Sequence, residues 1–159
     1  MTAEKIYIIG DVHGCLDMLK RLMDKISWAI VKPVMDYDSF EDALTWHEST
    51  TVDLSGGGAL IRVSEELTAD DRVLIRLALF QGLGLPETVA AVCRRAAVRE
   101  QQRLAGLEFI LSDYLRKHFD SRELEQLPAS VGLFDRAAQN KLVNFIFQQQ
   151  VELRQKGLL

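Results

Sequence analysis

A chain of 159 residues that is 48% apolar and 26% charged has the makeup of an ordinary soluble globular domain, long enough to bury one substantial core. Its net charge of −4 argues weakly against a nucleic-acid partner held by overall electrostatics, and no apolar run approaches membrane-spanning length. Cys15 and Cys93 are too few and too far apart for a disulfide framework or a zinc knuckle, so a reduced, cytoplasmic setting is expected.

The first element in chain order is Lys5-Ile6-Tyr7-Ile8-Ile9, a β-branched and aromatic run that predicts a short strand. It leads into the loop Gly10-Asp11-Val12-His13-Gly14. Residues 15–28 then show helical spacing, with Leu16, Leu19, Leu22, Met23 and Ile26 on one face. A loop at the carboxyl end of a strand is a usual ligand position in α/β arrangements, and an Asp and a His two residues apart can both face one metal ion. Gly-Asp-Val-His-Gly resembles the first motif of the calcineurin-like metallophosphoesterases. That resemblance implies that Asp11 and His13 ligate metal in a two-metal phosphate-ester hydrolase. The later motifs of that family do not follow, and His47 and His118 are the only other histidines. Residues 1–30 are therefore expected to form a βα fragment or fused element, with an incomplete metal-dependent phosphoesterase as the alternative reading.

Residues 31–48 are irregular, with Pro33, an acidic run through Asp36, Asp38, Glu41 and Asp42, and Trp46 near the end. They read as a linker, or as an irregular first part of a barrel with a strand around 33–37. Residues 49–63, S-T-T-V-D-L-S-G-G-G-A-L-I-R-V, predict a strand, a tight polar corner and a second strand. At that corner three glycines open the backbone beside the carboxylate of Asp53 and the hydroxyl of Ser55. A turn capped by its own side chains is the competing reading. Residues 72–79 alternate Val73, Ile75, Leu77 and Leu79 against Leu74, Arg76 and Ala78, as a strand does. A Gly/Pro-punctuated turn at 81–86 precedes a strand over 88–97, a polar hairpin tip at 99–102 and a strand over 104–110.

From Ser112 the pattern turns helical. Short pieces are expected at 113–118, with Ser112 as cap, and at 122–127, broken by residues 128–132. Residues 135–156 give the longest helical pattern, with Leu142, Val143, Ile146, Phe147 and Val151 as its apolar stripe and Gly157 as its stop.

Asp53-x-Ser55-x-x-Gly58, the alternating strand, the strands through Val92 and Leu104-Ala105-Gly106-Leu107-Glu108-Phe109, and the closing helix together resemble the PilZ domain, a receptor module for cyclic di-GMP. The resemblance covers about residues 50–158. It implies a mainly β fold with α: a small antiparallel PilZ-like β-barrel over 49–159 with a long C-terminal helix, preceded by the N-terminal βα unit. It also implies that Asp53, Ser55 and Gly58 form the barrel-surface half of a cyclic di-GMP site, with no catalysis and no required cofactor. A divalent metal enters only under the phosphoesterase reading. The family's other half-site is an R-x-x-x-R arm upstream, and no arginine lies between Arg21 and Arg62. Weakened or lost nucleotide binding is therefore expected, with Arg94, Arg95, Arg99 and Arg103 as candidate substitutes. The expected role is a sensor or adaptor acting on a partner protein in signalling, with the C-terminal helix as a candidate dimer contact. A chimeric or structural protein with no ligand is the remaining alternative.

Overall fold

The computed structural model describes residues 25–32 and 43–157. Its strands are β1 (Ile26–Val31), β2 (His47–Ser49), β3 (Thr51–Leu54), β4 (Gly58–Arg62), β5 (Arg72–Leu77), β6 (Val89–Arg99) and β7 (Gln102–Phe109). Its helices are α1 (Ala78–Gly82), α2 (Ser121–Gln126) and α3 (Arg136–Gln155), with 3-10 turns at Ser112–Lys117 and Ala129–Leu133.

All seven strands pair antiparallel in the order β2-β1-β5-β6-β7-β4-β3. The two end strands, β2 and β3, are separated in the chain by Thr50 alone. One residue reaches only about 3.5 Å, so the ends of the sheet must meet there. The Arg62 amide donates to the Thr50 carbonyl at 3.2 Å, and the Ser49 hydroxyl donates to the Arg62 carbonyl at 2.5 Å. β2 and β3 are thus two halves of one bent strand, and the sheet curls into the expected PilZ-like barrel with a C-terminal helix.

The apolar side chains of the strands explain the closure. One face of each central strand points inward, including Trp28, Ile61, Val73, Ile75, Val89, Cys93 and Leu107. Phe80, Phe134, Leu142 and Leu153 from the helices and connections close the same core. β5 and β6 are also covered outside: Leu74, Ala90 and Val92 pack with Leu115, Phe119 and Val131. Burial on both faces is why these strands read as nearly continuous apolar runs. Arg72 ties the outer layer down. Its Nη1 donates to Glu123 Oε1 at 2.6 Å and to the His118 carbonyl at 2.8 Å. Glu123 also closes a reciprocal capping box with Asp120 at the start of α2.

Four expectations are corrected. Ile26, Ser27 and Trp28, expected at the end of a helix over 15–28, lie in β1, where pairing with β5 and burial of Trp28 outweigh the upstream helical spacing. β1 and β2 thus lie in one sheet with the later strands. The strand expected over 72–79 stops at Leu77, because Leu79 and Phe80 both turn into the core from α1. Ser112 caps no helix: the residue at the cap position of its 3-10 turn is Leu111, without a side-chain bond, and the capping is done by Asp120 one element later. The stripe of the last helix is rotated, as Leu142 and Leu153 are buried while Val143 and Phe147 are 45% and 56% exposed. Ala138, Leu142, Phe145, Ile146 and Leu153 face the barrel at intervals of three, four and seven residues, so the helix docks on that side. The strands expected over 5–9 and 33–37 lie outside the described residues.

Candidate functional site

β3 and β4 are joined by a corner that Ser55 builds. Its amide donates to the Gly58 carbonyl at 2.9 Å, and its hydroxyl oxygen accepts from the amides of Gly57 and Gly58 at 3.3 and 3.2 Å. Asp53 follows an irregularity in the β3–β4 register, and its Oδ1 accepts from the Leu54 amide at 2.9 Å. The self-capped turn is thus real, and it still leaves the Asp53 side chain half-exposed at the rim of the barrel.

The three glycines do different work. A Cβ at Gly58 would fall on the Leu107 carbonyl oxygen across the β4–β7 ladder, so Gly58 is required for strand packing. A Cβ at Gly56 would strike the Val143 side chain of α3, and the Gly56 carbonyl accepts from Gln139 Nε2 at 3.1 Å. Gly57 has open space where its Cβ would stand, while its carbonyl accepts from the Phe109 amide at 2.9 Å. Only Gly57 leaves room for an outside partner to approach the backbone.

The corner forms one wall of a groove of about 370 Å³, with Arg94, Arg95, Gly106 and Glu108 opposite. Neighbouring residues of a strand point to opposite faces, yet Arg94 and Arg95 line the same groove. A β-bulge explains it: Cys93 pairs with Leu107 and Arg95 with Gly106, leaving Arg94 as the extra residue. Arg94 is neutralised, with Nε and Nη2 on Glu108 Oε1 at 2.8 and 2.6 Å and Nη1 3.6 Å from Asp70 Oδ1. Arg95 lies over Gly106, its Nε 3.8 Å from where a Cβ there would stand, and has no carboxylate partner among the described residues.

Past Gly57, Arg94 and Glu108 the groove continues into a second lobe of about 320 Å³ lined by Tyr114, Lys117, His118 and Arg136. Burial first, and then the Arg94 guanidinium, push the His118 pKa below its ordinary 6.5. Burial and the neighbouring Asp71 carboxylate raise the pKa of the buried Cys93 thiol, which donates to the Arg95 carbonyl, and leave it a poor nucleophile.

Asp53, Ser55 and Gly58, expected to form half a site, do line one groove. Of the four hairpin arginines expected as substitutes, Arg94 and Arg95 reach that groove, whereas Arg99 and Arg103 are not among its lining residues. Glu108, Lys117 and Arg136 were not singled out from the sequence; only the register of β7 and the position of α3 bring them here. Asp11 and His13, the expected metal ligands, lie outside the described residues. Among the described residues no group of three or more His, Cys, Asp or Glu side chains could hold a metal ion, and no helix is long and apolar enough to cross a membrane.

Comparison with protein families gives a match to the PilZ domain over residues 33–120. A search of curated proteins finds no match. The matched region runs from upstream of the bent strand through the glycine corner, both groove arginines and the Lys117–His118 wall, which is more than half of the chain. The chain belongs to the PilZ domain family.

Proposed function

We propose that this protein is a cytoplasmic cyclic di-GMP sensor or adaptor that regulates a partner protein and catalyses no reaction. The observation that carries the reading is the Ser55-built corner facing two arginines across one groove. Asp53 is the acceptor for a guanine N–H edge, Ser55 braces the turn, and Gly57 admits the flat face of the base. Arg95, without a carboxylate partner among the described residues, is the guanidinium that faces the base or its phosphate. Each charge-assisted bond of this kind contributes about 1.5–3 kcal/mol. One arginine in place of an upstream pair therefore leaves binding at least about tenfold weaker than a complete site would give.

The test is a titration of the full chain with cyclic di-GMP, read by calorimetry and by amide shifts of residues 53–58. The expected result is binding weaker than micromolar that disappears in Asp53→Ala. No shift in the corner at millimolar dinucleotide overturns the reading. Micromolar binding abolished by Asp53→Ala keeps the receptor and overturns the claim of weakened affinity.

A further inference from the structure

We propose that the second lobe of the groove is a phosphate subsite, in which Lys117 and Arg136 take the phosphate of the ligand whose base sits at the glycine corner. The proposal rests on the nucleotide reading above for its ligand but on separate residues for its chemistry. The two lobes share Gly57, Arg94 and Glu108, so a ligand seated on Gly57 borders both.

Charge decides which side receives the phosphate. Towards the hairpin the groove offers Arg95 alone, since Arg94 and Glu108 cancel through their two hydrogen bonds. Towards α3 it offers Lys117 and Arg136, neither with a carboxylate partner among the described residues. Arg136 Nη1 rests on the amide oxygen of Gln139 at 3.4 Å, and Lys117 Nζ stands 4.9 Å from the centroid of the Tyr114 ring. A planar guanidinium and an ammonium that can swing off an aromatic face form a pair suited to the two anionic oxygens of a phosphodiester. His118, kept mainly neutral by burial and by Arg94, adds a ring that a nearby phosphate would drive toward protonation. These groups come from the 3-10 turn at Ser112–Lys117 and its C-terminal residue His118, and from the first residue of α3. An anionic ligand would therefore bridge the barrel to the helical layer.

The experiment titrates the full chain with cyclic di-GMP and, separately, with pyrophosphate, following backbone amides and the His118 ring by NMR. Both ligands should move Tyr114, Lys117 and Arg136 and raise the His118 titration midpoint. The double variant Lys117→Gln/Arg136→Gln should bind the dinucleotide at least about tenfold more weakly with an unchanged thermal transition, both side chains being exposed. Unchanged dinucleotide affinity in that variant overturns the subsite. Dinucleotide binding that depends on Asp53 while the lobe stays silent to both ligands removes the subsite and keeps the nucleotide reading. Pyrophosphate shifts in the lobe, lost in the double variant, with no response to the dinucleotide keep the subsite and remove that reading.

Discussion

Replacing Gly58 and Gly57 separately by alanine divides the work of the corner into architecture and access. At Gly58 the new methyl meets the Leu107 carbonyl, a backbone atom fixed by the β4–β7 ladder that cannot swing aside as a side chain would. Forcing a methyl into filled space costs about 1–3 kcal/mol, and the shift strains the Ser55–Gly58 hydrogen bond, worth about 1 kcal/mol. Fewer unfolded conformations return about 0.4–1 kcal/mol, leaving a net loss of about 2 kcal/mol. For a chain of this length that is a fall in Tm of roughly 4–8 °C. At Gly57 the methyl meets nothing within 4 Å, so stability should stay within about 0.5 kcal/mol of the parent. That same methyl projects beside both lobes of the groove and should abolish dinucleotide binding. Urea denaturation followed by circular dichroism gives the first comparison, with equal m-values required for it to count. Gly58→Ala as stable as the parent, or Gly57→Ala as damaged as Gly58→Ala, refutes the division.

Glu123→Ala removes the buried partner of Arg72 and half of the capping box, and should cost about 3 kcal/mol in the same denaturation assay. Glu123→Gln, which keeps an acceptor, should cost less, and a loss under about 1 kcal/mol for the alanine variant contradicts the role assigned to the pair. His118 has a folded-state pKa below its unfolded value, so the unfolded chain binds the extra proton and stability falls as pH drops below about 6.5. His118→Gln should flatten the urea midpoint between about pH 7.5 and 5 relative to the parent, and parallel curves would refute the assignment. Gln101, with φ at 68° in the two-residue turn of the β6–β7 hairpin, should gain about 1 kcal/mol on replacement by glycine, measured by the same midpoint.

Elements specified by local chemistry were legible in the sequence. The corner announced itself through Asp53, Ser55 and the glycines, the hairpin tip through its polar residues, and the long helix through its length and Gly157. β1 was not legible, because Ile26 continues a helical spacing set by Leu19, Leu22 and Met23, and only its partners in β5 and β2 make it a strand. The orientation of the last helix was hidden for a related reason. Val143 and Phe147 suit an apolar face as well as Phe145 and Leu153 do, and the barrel makes the choice. Half of the groove was hidden too, since a bulge is a property of pairing. Nothing in Cys93-Arg94-Arg95 says that both arginines face one way until Leu107 and Gly106 are set opposite.

The bent strand that closes the barrel also bears on aggregation. An open seven-stranded sheet would present two full-length edges to any unfolded neighbour. Here the terminal strands are three and four residues long and meet at Thr50, so an intruding strand finds almost no template. The one longer edge is β6 beyond Cys93, which among the described residues has no strand on its outer side. Past the neutralised Arg94 that stretch carries Arg95 and ends with Arg99, and like charges repel a second copy approaching in register. Arg95, which faces the groove, and Arg99 at the turn therefore also serve as gatekeepers against edge-to-edge association. A variant that neutralises them will have to be checked for solubility before it is read for binding.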